Sequence, residues 1–166
     1  MTGWLPRRVA WPEENDWIRE RLPSVVVDDD LVVVMERTIE RYEAVAVDIA
    51  DRVLVHGDVG LHNLVLDPGT DTVNGIFDYD GAAWADRHHD FRYLLFDVGH
   101  EDMLDVALEV YEPAIGRTLD HDRIRLYNAA CAISYLAFRS GTPRTRSHAG
   151  GRLPKTFAGS ERRSRG

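Results

Sequence analysis

Lysine occurs once in 166 residues, at Lys155, and cysteine once, at Cys131. A single cysteine closes no internal disulfide, so the chain must fold by burial alone, and a reducing, cytoplasmic location is the expectation. Cys131 lies in the apolar pattern AACAISYLAF and reads as packing material rather than as a nucleophile. No apolar run approaches the roughly 20 residues of a helical membrane span. The first fifteen residues, MTGWLPRRVAWPEEN, have no continuous apolar stretch of the kind a signal peptide carries. There is no internal repeat. Before residue 50 there is neither a glycine-rich loop nor a strand-rich segment.

What is present is acid. The net charge is −8, and it is unevenly spread. Residues 1–140 hold 13 Arg against 27 Asp plus Glu, whereas residues 141–166 hold six Arg and one Lys against one Glu. An acidic body argues against a nucleic-acid surface and permits a cationic substrate. Hydrophobic residues make up 44 % of the chain, enough for the core of one domain. From Ser140 onward apolar residues become sparse among Gly, Arg, Ser and Thr, so 141–166 is expected to be a disordered basic tail. Residues 1–140 are the expected folded unit.

Along that unit, Pro12-Glu13-Glu14 reads as the first turn of a helix reaching Leu22 and ended by Pro23. Asp28–Asp30 caps a second helix, expected over 29–49 from the stripe Leu31, Val34, Met35, Thr38, Ile39, Tyr42 and Val45. Val53–Val55, Leu64–Leu66 and Thr72–Phe77 are strand-like runs, the last two joined by the turn sequence DPGTD. Asp86 caps a helix beginning near Arg87, and two further helices follow over 102–115, ended by Gly116, and 120–139. The fold class is therefore α+β, mainly helical, with a small hairpin sheet.

The chemistry sits in the loop between the first two strands, which reads HGDVGLHN, and in Asp78, which ends the third. Two carboxylates and an amide on neighbouring turns are hard oxygen donors suited to magnesium-bound phosphate beside a hydroxyl. HGDxxxxN, followed by an apolar strand ending in Asp, resembles the aminoglycoside phosphotransferase family, the choline-kinase-like branch of the protein-kinase fold. The resemblance covers about residues 25–140 and implies the C-terminal lobe of that fold, with the catalytic loop on the hairpin sheet. It implies an ATP-dependent O-phosphotransferase using Mg²⁺ with ATP or GTP, and a small-molecule alcohol, cationic or not, as acceptor. Matched position by position, Asp58 falls on the catalytic aspartate, and Asn63 and Asp78 on the metal-binding pair. His56 and Asp86 fall on supporting positions, with Asp86 bracing the loop. His62 is expected to be exposed or to support the site. Asp80 is either a further metal ligand or the start of an Asp-Gly turn. Acidic positions Asp97, Glu101, Asp102 and Asp105 would suit a polycation.

Two-lobed relatives of this kind carry a nucleotide lobe with a glycine-rich loop and a phosphate-pairing lysine. Neither precedes residue 50, so the cofactor-binding residues are unassigned and the chain reads as one lobe. A partner supplying the other lobe, or a homodimer, is the expected association, and a non-catalytic binding module is the alternative function. A rival reading takes His88, His89 and Asp90 with His56 and Asp58 as the metal cluster of a hydrolase.

Overall fold

The structure, a computed structural model, describes residues 15–70, 72–98 and 101–139. The expected helix start at Pro12–Glu14 and the basic tail lie outside the described residues. Five helices and four short strands follow one another: α1 (Asn15–Val25), α2 (Asp29–Glu43), β1 (Arg52–Val55), β2 (Leu64–Leu66), β3 (Val73–Ile76), β4 (Ala83–Asp86), α3 (His88–Val98), α4 (Glu101–Ile115) and α5 (His121–Arg139).

α1 runs through Pro23 instead of stopping before it. Proline removes one donor, but the Val26 amide still reaches the Leu22 carbonyl at 2.9 Å, so the last turn closes around it. α2 begins as its sequence indicates, with the Asp28 carboxylate accepting from the Leu31 amide at 3.1 Å. It ends at Glu43, six residues short of the expected 49. In the AVAVD that follows, Ala44 is still helical at φ −79°, ψ −6°, and then the helix stops, with Val45 and Val47 partly buried and Ala44, Ala46 and Asp48 exposed. Alternating β-branched residues disfavour a further helical turn. Asp48 then accepts from the Ala50 amide at 2.7 Å and starts a single 3₁₀ turn into β1.

The strands form two antiparallel ladders rather than one sheet. β2 pairs with β3 across the DPGTD turn, where Asp67 accepts from the Gly69 amide at 2.8 Å. β1 pairs with β4, Arg52 facing Asp86 and Leu54 facing Trp84. Leu54 and Trp84 are both more than 60 % exposed, so this ladder carries an apolar outer face.

Two apolar clusters hold the helices. In one, Ile18 and Leu22 of α1 and Ile39 of α2, all fully buried, meet Ala130, Ile133 and Ala137 of α5. In the other, Leu104 and Leu108 of α4 meet Leu119 and Ile124, with Phe91, Leu94 and Leu95 of α3 packed against them. Each fully buried Ile or Leu contributes about 1.5–3 kcal/mol of transfer free energy. α5 belongs to both clusters, while its residues Tyr135 and Phe138 are about 40 % exposed. Cys131 is buried and unpaired.

Candidate active site

Three chain segments meet at the end of β1: the loop 56–63, the turn after β3, and the first turns of α3. Gly57 opens the loop at φ +84°, and a Cβ there would stand 2.4 Å from the Gly81 carbonyl oxygen. Only glycine allows both that backbone angle and that approach. The loop therefore lies directly against the turn that follows Asp78.

Phe77 is stitched to the loop from both sides. Its amide donates to the Asn63 carbonyl at 3.0 Å, and its carbonyl lies 3.0 Å from His56 Nε2. His56 Nδ1 accepts from the Asp58 amide at 3.3 Å, so the ring donates from Nε2 and accepts at Nδ1, the pattern of neutral imidazole. The ring also stands 4.5 Å from that of Tyr79. His56 thus links the backbone of Asp58 to the residue preceding Asp78.

Asn63 is buried, and its Nδ2 donates to the Asp58 carbonyl at 2.8 Å and to Asp58 Oδ2 at 3.1 Å. His62 is half-exposed, with Nε2 3.4 Å from the same Oδ2. Asp78 adopts the left-handed conformation, φ 64° and ψ 66°, which costs a non-glycine residue about 1–2 kcal/mol. Among the described residues its exposed carboxylate has no hydrogen-bond partner. Asp80 is exposed within the 3₁₀ turn Tyr79–Gly81. On α4, Asp102 and Asp105 are exposed, while the side chains of Asp97 and Glu101 lie outside the described residues.

The brace comes from α3. Asp90 accepts the His56 amide on Oδ2 and the Gly57 amide on Oδ1, both at 2.9 Å. Arg92 donates to the Gly57 carbonyl at 2.8 Å, and its guanidinium lies 4.6 Å from the centre of the Tyr93 ring. Burial pushes the Tyr93 phenol above its ordinary range, and the negative charge of Asp58 adds to the rise. Arg92 and Tyr93 were not assigned from the sequence, and Asp90 only as part of the rival metal cluster. The signal available was helical spacing: counted from the cap at Asp86, positions 90 and 93 share one helix face.

Asp86, expected to brace the loop, faces the other way. It accepts from the His88 amide at 3.1 Å and so caps α3, while Oδ2 takes the Tyr127 hydroxyl at 2.6 Å and Arg123 at 3.1 Å. Burial alone would raise its pKa, but hydrogen bonds from His88 and Tyr127 outweigh that and hold it well below the carboxylate range.

The hydrolase reading fails on geometry, because the HHD residues separate. His88 is placed 2.5 Å from Asp86 Oδ1 through Nδ1 and accepts from the Asp120 amide at Nε2. His89 stacks on Tyr127 and meets Tyr42 edge-on. Burial, then the Arg92 charge, pushes it down to about 3. Asp90 is committed to the loop amides. Asp51, Asp86 and His88 do bring ligand atoms within 4.8 Å of one another. Both His88 nitrogens are already used, however, and Arg87, Arg117 and Arg123 ion-pair with the two carboxylates. A further dication there would meet three guanidiniums and no free imidazole nitrogen.

A family model described as phosphotransferase enzyme family matches residues 3–127. Streptomycin 3''-kinase of Streptomyces griseus is 34 % identical over 84 residues, 48 % of this chain and 31 % of that protein. Aminoglycoside phosphotransferase APH(3'')-Id of Streptomyces rimosus superposes with a TM-score of 0.52 at 25 % identity, over 72 % of this chain and 50 % of its own. Its complex with ADP and streptomycin gives 0.50 at 24 % identity, over 72 % and 51 %. A type I macrolide 2'-phosphotransferase gives 0.50 at 23 % identity, over 74 % and 40 %. The chain thus spans about half, or less, of the length of the relatives it matches.

Proposed function

The chain belongs to the phosphotransferase enzyme family, and from that membership we propose that residues 15–139 are the transfer lobe of an ATP-dependent O-phosphotransferase with a small-molecule hydroxyl as acceptor. The observation that carries this reading is the double tie of Phe77 to His56 and Asn63. It sets Asp78 one residue from the contact between Asn63 and Asp58.

In the proposed reaction Asp58 accepts a hydrogen bond from the acceptor hydroxyl and aligns it with the γ-phosphorus. The new O–P bond forms as the bond to the ADP oxygen breaks, and Asp58 takes the hydroxyl proton late. An ionised carboxylate at neutral pH is all this requires. Asn63 and Asp78 fit Mg²⁺: the Asn63 amide nitrogen is spent on Asp58, leaving Oδ1 as the donor, and the Asp78 carboxylate has no partner among the described residues. Bound there, the metal would neutralise charge on the nucleotide phosphates. His56 and Asp90 hold the loop so that these groups are oriented before substrate arrives.

A polycationic acceptor suits the acidic body, and the streptomycin kinase relative makes streptomycin the first acceptor to test. Magnesium-dependent nucleotide binding is the test of the site. Calorimetry with Mg-ATP should give binding that Asp78→Ala abolishes, and coupled ADP release with streptomycin should follow. Mg-ATP affinity unaffected by Asp78→Ala would end this assignment.

A binding module without turnover is the second reading. Binding without ADP release from any acceptor selects it. Association with a second chain belongs to either reading. The exposed pair Leu54 and Trp84 offers an apolar contact, and sedimentation equilibrium of the Trp84→Ser variant tests it.

A further inference from the structure

Asp58 hangs from a loop, and its side chain is 37 % exposed. An aspartate so placed has three staggered χ1 wells available, of which one points the carboxylate at a given acceptor. Two of its neighbours, His62 and Asn63, belong to the same loop and move with it. A restraint against the body of the protein has to come from elsewhere.

α3 supplies it. The carbonyl of Gly57 and the amide of Asp58 form one peptide plane, the plane from which the Asp58 side chain departs. Arg92 Nη2 holds the carbonyl end at 2.8 Å, and His56 Nδ1 holds the amide end at 3.3 Å. Arg92 is itself buried and fixed, with Nη1 on the His89 carbonyl at 2.7 Å. Its backbone carbonyl accepts from Asn128 of α5 at 3.0 Å. The next residue, Tyr93, has its ring 4.6 Å from the Arg92 guanidinium. A stacked guanidinium on a packed helix therefore reaches the backbone from which the Asp58 side chain departs.

We propose that Arg92 is a positioning residue for Asp58, fixing its peptide plane, with the Tyr93 ring stacked behind its guanidinium. The inference rests on the role given to Asp58 under Proposed function, but its primary readout needs no turnover. Three-bond couplings from the Asp58 backbone to Cγ report χ1 directly in the labelled full chain. The wild type should show one rotamer. Arg92→Lys, which keeps the charge but loses the two-pronged contact, should average the couplings, whereas Tyr93→Phe, which keeps the stacked ring, should leave them as in the wild type.

With Mg-ATP and streptomycin, Arg92→Lys should lower kcat about tenfold, below the 10²-fold cost of a roughly 1 Å misplacement. KM for ATP should hold. Couplings identical in wild type and Arg92→Lys overturn the inference, and so do averaged couplings with unchanged kcat. A wild type without turnover whose couplings respond as described counts against the kinase reading and leaves the positioning role standing.

Discussion

At the scale of single residues, the site depends on backbone conformations that few residues tolerate. Gly57 has both positive φ and a carbonyl 2.4 Å from where a Cβ would sit. Gly57→Ala should therefore cost more than the about 1 kcal/mol of an ordinary positive-φ penalty and should displace the loop. Chemical denaturation measures the first effect and loss of Mg-ATP binding the second. Asp78 occupies the left-handed region without a side-chain cap. Among substitutions there, Gly should be more stable than Ala by about 1 kcal/mol, the reverse of the order in helices, although both remove the carboxylate. Equal melting temperatures for the two would show that the conformation carries no strain. Asp58→Ala, in a chain with turnover, should lower kcat by about 10²–10⁴ with little change in nucleotide affinity. The spacing of Asp58, Asn63 and Asp78 was readable because sequence-local turns carry it. Asp90, Arg92 and Tyr93 were not. Asp90 stood beside two histidines and invited a metal reading, and only the docking of α3 on the loop reveals which carboxylate meets the amides.

At the scale of elements, signals at the ends outperformed signals in the middle. Asp28, the Asp67–Gly69 turn and Gly116 at φ +65° mark boundaries through local hydrogen bonding or backbone angle, so the sequence identifies them. Asp28→Ala should cost about 1 kcal/mol, read as a shifted urea midpoint at constant m. The far end of α2 was misplaced because Val45 continues the helical stripe while lying beyond the cap at Ala44. β4 was missed because AWAD has little strand character of its own. Its partner β1, thirty residues earlier, makes it a strand.

At the scale of the whole molecule, acid should be the condition that unfolds it. His89 is held neutral down to about 3, whereas in the unfolded chain it protonates near 6.5. As pH falls below 6.5 the unfolded state takes up a proton that the folded state refuses, so stability drops by up to about 1.4 kcal/mol per pH unit. Asp86 acts lower down. Its folded pKa is depressed, so its contribution is complete above the unfolded value of about 4 and is lost as pH falls below it. Urea midpoints between pH 7 and 4 should decline, and His89→Gln should flatten the part above pH 4. A midpoint independent of pH across that span would contradict the burial of His89.

The placement of α5 also bears on how the polypeptide comes into being. Ala130 and Ile133 complete one apolar cluster and Ile124 the other, so neither can close until residues 121–139 have left the ribosome. Synthesis from the amino end leaves α1 to α4 without their common support until α5 has emerged. Nascent chains arrested with α5 still in the exit tunnel should be digested readily by protease, and those arrested beyond it should resist.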